Sequence, residues 1–129
     1  RKELMKWFEA SHRPLPWKGE RDPYLIWLAE IILQQTRVEQ GLPYYERFKA
    51  RYPQVQALAE APPDEVMKLW EGLGYYSRAR NLQQTAQYVT LELGGKFPRD
   101  YEGLRRLKGV GEYTAAAIAS FAYGLPHAV

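Results

Sequence analysis

The stretch from Tyr24 to Gln35 limits the possible folds more than any other part of the chain. It carries Leu25, Ile26, Leu28, Ile31, Ile32 and Leu33, apolar around most of a helical circumference, and a helix of that kind is buried. Asp22-Pro23 marks its start: an acid that accepts from the first free N–H groups, then a proline whose fixed φ suits the first turn. A helix this apolar needs other elements wrapped around it.

The rest of the chain supplies them as helices. A second helix is predicted over Val38 to Ala50, with Tyr45 and Phe48 inward, Arg47, Lys49 and Arg51 outward, and Pro53 as its stop. A short one follows near Val55 to Ala59. Pro62-Pro63-Asp64-Glu65 opens another, with Val66, Leu69 and Trp70 on one face, halted at Gly72-Leu73-Gly74. A long helix is predicted from Ser77 to Leu93, closed by Gly94-Gly95. Asp100 caps a short helix ending near Leu107, and after a glycine turn the last helix runs from about Glu112 to Tyr123. Short connections and no convincing strand make this an all-α helical bundle, and 129 residues suit one domain with a single core.

With no cysteine among the 129 residues, a disulfide framework, a thiolate zinc site and iron–sulfur ligands are excluded within them. His12 and His127 stand apart, without metal-ligand spacing. The net charge of +3 permits a polyanionic partner without demanding one. No signal peptide and no membrane-spanning run is visible, so a cytoplasmic protein is expected. The abrupt ends lead us to expect a fragment of a longer chain.

Four groups of residues could carry chemistry. Leu107-Lys108-Gly109-Val110-Gly111 lies between two helices and is followed by the small-residue run Tyr113-Thr114-Ala115-Ala116-Ala117-Ile118. Glycines allow a tight turn whose N–H groups, with those of the next helix N-terminus, would suit a phosphate. This reads as a helix–hairpin–helix, or as a plain αα turn with a glycine cap. Glu30 has Ile26, Trp27, Leu33 and Gln34 as its helical neighbours. Desolvation there would raise its pKa toward that of a general acid. The other reading is a structural glutamate paired with an arginine or placed at the rim of the buried face. Gln34-Gln35-Thr36 and Gly72 to Arg78 put amides and aromatics near presumed turns, where flat side chains can fill the gap left by an extruded base; such aromatics also serve as core anchors. Arg13-Pro14-Leu15-Pro16-Trp17-Lys18 is a stiff loop that either lines a pocket or staples itself to the core.

Taken together, the segments resemble the adenine DNA glycosylases (the MutY family) of the helix–hairpin–helix glycosylase superfamily. The matching pieces are LPW at 15–17, DPYLIWLAEIILQQTRV at 22–38, PYYERF at 43–48, LWEGLGYYSRARNL at 69–82, GGKFP at 94–98 and LKGVGEYTAAAIAS at 107–120. They follow the family's order and spacing over nearly the whole chain.

The resemblance implies a six-helix barrel over about residues 22–123, with the helix–hairpin–helix at 101–123. Residues 1–21 would form a helix and loop of the flanking subdomain. It implies a monofunctional enzyme of base excision repair that hydrolyses the N-glycosidic bond of adenine opposite 8-oxoguanine or guanine. Glu30 matches the acid that protonates the adenine, and Tyr113 an active-site tyrosine. Leu15, Trp17 and Lys18 match the loop enclosing the extruded base. Gln35, Thr36 and Tyr75 match the part that wedges into the duplex, and Gly109, Val110 and Gly111 the phosphate-binding hairpin. The carbonyls of Arg105, Leu107 and Val110 match a monovalent-cation site. Double-stranded DNA with an adenine:8-oxoguanine mispair is the implied partner, and a monomer is expected. The second catalytic carboxylate, the cysteines of a [4Fe–4S] cluster and the oxoguanine-reading domain are expected beyond Val129, so the fragment alone is expected to be inactive. Endonuclease III-like relatives place a nucleophilic lysine where this chain has Tyr113. An endonuclease III-like lyase and a non-catalytic helix–hairpin–helix module are the alternatives.

Overall fold

Asp22 and Pro23 start the first described helix, α1 (Pro23–Leu33), as the sequence predicts. Asp22 Oδ1 accepts from the Tyr24 N–H at 2.9 Å and Pro23 takes the first turn. The computed structural model describes residues 20–34 and 36–125. Among these it places six further helices: α2 (Val38–Arg51), α3 (Val55–Glu60), α4 (Pro63–Trp70), α5 (Tyr76–Glu92), α6 (Tyr101–Arg105) and α7 (Glu112–Tyr123). No strand occurs among the described residues, and the fold is all-α. The loop with Leu15, Trp17 and Lys18, most of the expected N-terminal subdomain, and Gln35 lie outside the described residues.

α1 is the central element. Every side chain from Ile26 to Ile32 is buried, and the helix packs against α2, α5 and α7. Each large apolar side chain withdrawn from water here contributes about 1.5–3 kcal/mol. Small residues set how closely the neighbours come. Ala115 and Ala119 of α7 are fully buried in the same core. A β carbon on Gly41 would run into the Leu33 side chain, so glycine lets α2 cross close to the end of α1.

A second layer covers the far side. α5 packs on α3 and α4, and α2 on α4, with Phe48 and Trp70 meeting edge to face at 6.1 Å. The buried amide of Gln83 on α5 donates to the carbonyls of Leu58 (3.2 Å) and Ala61 (2.7 Å). The last carbonyls of a short helix have few internal partners: among the described residues Leu58 O takes one backbone N–H, that of Ala61 at 3.4 Å, and Gln83 adds a donor from outside.

Several boundaries shift by a residue or two from the sequence reading, and two of the shifts have clear local reasons. α2 runs to Arg51, a residue later than expected: the Tyr52 N–H still donates to Phe48 O, and Tyr52 itself, held out of the helical region by Pro53, leaves the helix at φ −128° and ψ 78°. α5 begins at Tyr76, a residue earlier than expected, because Tyr75 makes the turn itself.

Candidate active site

Glu30 lies one turn before the end of α1 and is 4% exposed. Neither bland reading of it holds among the described residues: it has no ion pair with an arginine there, and it is not at a rim. Burial pushes its carboxyl from an ordinary 4.5 up to about 8, because a low-dielectric site disfavours the charged form. At neutral pH the group holds its proton. One turn further on, Gln34 Nε2 donates to Thr114 Oγ1 at 3.4 Å, a long bond that joins the end of α1 to the first turn of α7. Half-buried Tyr113 belongs to that turn. The acid and the tyrosine predicted from sequence thus sit on adjoining ends of two packed helices.

The hairpin between α6 and α7 is tied from beneath. Leu107 and Val110 are buried, and the Val110 N–H donates to Leu107 O at 3.1 Å. Lys108 and Gly109 are left on the outside. From α5, Thr85 Oγ1 donates to Lys108 O at 3.1 Å, and Lys108 Nζ donates to Gln84 Oε1 at 2.9 Å. Gly109 has φ +81°, a left-handed conformation that favours glycine. Gly111 has an ordinary extended backbone, so the dihedral argument from sequence applies to Gly109 alone. No side chain caps α7 at Gly111, and a helix N-terminus of this kind favours an anion.

Of the three carbonyls in the expected cation cradle, Leu107 O accepts the Val110 N–H. Among the described residues no backbone hydrogen bond outside the helices ends on Arg105 O or Val110 O, and a carbonyl oxygen that accepts one N–H keeps a second lone pair, so none of the three is closed to a cation. No three His, Asp or Glu side chains gather as metal ligands among the described residues.

Tyr75 makes the turn before α5 with φ 50° and ψ 61°, the one non-glycine residue with positive φ among those described. Its ring is 66% exposed. A bulky residue held left-handed costs free energy and persists only where its surroundings fix it. Here the Trp70 Nε1–H donates to Gly74 O at 2.8 Å and the Tyr44 hydroxyl to Glu71 O at 2.7 Å. Leu73, between its glycines, is buried in the core, and a β carbon on Gly72 would strike the Tyr44 hydroxyl. Gly72 thus serves packing, and of the two glycines only Gly74 faces open space.

The sequence reading gave Arg78 no role, yet it joins these parts. Its Nη1 donates to Ile31 O (3.0 Å) and Gln34 O (2.6 Å) at the end of α1, and its guanidinium lies 5.7 Å from the Tyr75 ring. A groove of about 640 Å³ bordered by Arg21, Pro23, Lys96 and Tyr123 lies at the start of α1 and the end of α7, away from Glu30, and is not this site.

A buried carboxyl, a hairpin with a left-handed glycine and an exposed aromatic on a strained turn, held by one helical core, define a helix–hairpin–helix protein. The family model for HhH-GPD superfamily base excision DNA repair proteins matches residues 28–122, and the chain belongs to that family. It is similar to the adenine DNA glycosylases of Buchnera aphidicola subsp. Baizongia pistaciae (41% identity, over 95% of this chain and 35% of that protein) and Mus musculus (46%, over 95% and 26%). The chain thus spans about a third or less of these relatives. Among solved structures it is similar to a thermostable thymine-DNA glycosylase (TM-score 0.82, 31% identity, 95% of this chain and 57% of that one). It is also similar to endonuclease III in a non-covalent DNA complex (TM-score 0.79, 27% identity, 97% and 57%).

Proposed function

We propose that this chain is the acid-supplying and DNA-gripping segment of an adenine DNA glycosylase, which hydrolyses the N-glycosidic bond of adenine opposite 8-oxoguanine or guanine. The observation that carries the reading is Glu30: a carboxyl buried on α1 and protonated at neutral pH, beside the α7 turn that bears Tyr113. Glu30 donates its proton to the ring nitrogen N7 of the extruded adenine. That makes the base a better leaving group as the bond from N9 to the sugar breaks. The carboxylate so formed then accepts a proton from the water that attacks the sugar. Glycoside hydrolysis uses the same pairing of a raised acid with an ionised carboxylate; the second carboxylate is expected beyond Val129.

The hairpin at Gly109 to Gly111 and the uncapped start of α7 hold a backbone phosphate, and the exposed Tyr75 fills the stack beside the mispair, with Gln35 and Thr36 as its partners. Leu15, Trp17 and Lys18 enclose the base. The carbonyls of Arg105, Leu107 and Val110 would hold a monovalent cation that offsets the phosphate charge. The protein is a monomer acting at DNA in the cytoplasm, and its longer form carries a [4Fe–4S] cluster.

Similarity to endonuclease III leaves a lyase to be considered. Tyr113, whose phenol cannot form a Schiff base, argues for water as the nucleophile. The test is product analysis. The full-length protein should release free adenine from an oxoguanine:adenine duplex and leave an abasic strand that borohydride does not link to protein. A trapped covalent adduct would overturn the reading.

A further inference from the structure

Arg78 occupies a position its own helix disfavours. It is the third residue of α5, after Tyr76 and Ser77, where the N-terminal end of the macrodipole is positive and repels a cation. Its side chain leaves that environment for the opposite pole of another helix. Nη1 donates to the carbonyls of Ile31 (3.0 Å), Ile32 (3.5 Å) and Gln34 (2.6 Å), and Nη2 to Thr36 Oγ1 (3.5 Å). The first three are carbonyls at the end of α1, where a cation is favoured. The guanidinium Cζ lies over the Trp70 ring at 5.0 Å from its centroid and over the Tyr75 ring at 5.7 Å. Burial lowers its pKa, and among the described residues no carboxylate pairs with it. Its buried Nε and the buried Nε1 of Trp27 have no partner among the described residues, and both residues border a cavity of about 20 Å³ beside Lys108 and Gly109. That is room for one water.

From this arrangement we infer that Arg78 is a positioning residue that holds the end of the acid helix and the Tyr75 turn as one rigid frame, so that insertion of the Tyr75 ring and placement of Glu30 are coupled. The inference rests on the adenine glycosylase reading. A plain structural arginine would need only one of these attachments. Arg78 has hydrogen bonds to the segment bearing Gln34 and Thr36 on one side and a ring contact to Tyr75 on the other, and Glu30 is one turn away on the same α1. Lysine cannot replace it fully, because an ammonium lacks the planar fork that serves several carbonyls while lying against two rings.

A double-mutant cycle tests this. In the full-length protein, single-turnover adenine release from an oxoguanine:adenine duplex is followed for the parent, Arg78→Lys, Tyr75→Leu and the double variant, with duplex affinity and thermal midpoint measured alongside. Each single change should slow release about tenfold, and the double variant should be no slower than the slower single, since each removes the same coupled frame. Thr36→Val, which deletes one acceptor of the guanidinium, should show the same coupling on a smaller scale and serves if Arg78→Lys folds poorly. Independent, multiplying effects would overturn the proposal, as would a rate loss in Arg78→Lys that merely tracks a fall in thermal midpoint. A parent that binds the duplex but releases no adenine contradicts the adenine reading instead. The cycle is then read on duplex affinity, where coupling still supports the frame and independence still overturns it.

Discussion

At the scale of single residues, Glu30 spends stability to gain chemistry. Its carboxyl has a folded-state pKa of about 8 against an ordinary 4.5, through burial alone. The folded form therefore binds the proton more tightly than the unfolded one. Its contribution to stability is complete below about pH 4.5, falls as the pH rises toward 8, and is flat above that. Each pKa unit of separation corresponds to about 1.4 kcal/mol. Compared with Glu30→Gln, whose amide does not titrate, the parent should lose on the order of a few kcal/mol across that range. Denaturant midpoints measured from pH 4.5 to 8.5 should converge or cross; curves that run parallel would remove the buried-acid account. The sequence showed the apolar neighbours of Glu30 but left its partner open, because pairing with a distant arginine depends on which helices meet. Arg78 was hidden for the same reason. Its one sequence signal, a cation in the first turn of a helix, gains meaning only once the end of α1 is seen beside it.

At the scale of elements, the helices were largely legible. Hydrophobic period, Asp22-Pro23, Asp100 and the paired glycines placed them, and the observed caps at Asp22 and Asp100 use the side chains expected. The turns were less so, since one signal, glycine, served several ends. Gly72 makes room for Tyr44, Gly41 admits α2 against Leu33, and Gly109 takes a left-handed turn. Gly109 gives the cleanest prediction for the hairpin. A β carbon there meets nothing closer than Asn81 at 4.0 Å, so Gly109→Ala is opposed by backbone strain rather than by packing. The change should cost about 1 kcal/mol or somewhat more in folding stability. It should also weaken duplex binding equally for matched and mispaired DNA, because a backbone clamp reads no sequence. Titrations of both duplexes would show this, and a loss confined to the mispair would assign the hairpin a different task.

At the scale of the whole molecule, the core does more than bury apolar surface. α1 carries Glu30, and the elements packed against it bring other residues of the proposed site: α7 brings Tyr113 and the hairpin's helix N-terminus, while α5 follows the Tyr75 turn and brings Arg78. The ordered motifs made the family legible from sequence, and the chain's place among HhH-GPD proteins follows from them. What they could not reveal is that Arg78 touches both the Tyr75 ring and the end of the helix that bears Glu30, a property of packing and not of any local pattern. The role of Glu30 is read out by the pH dependence of single-turnover adenine release by the full-length protein, with and without Glu30→Gln. The parent rate should be level through neutrality and fall above about pH 8 as the buried carboxyl ionises. In Glu30→Gln, release should drop by about a hundredfold or more while mispair binding persists. A Glu30→Gln protein that still releases adenine at the parent's rate would contradict that role.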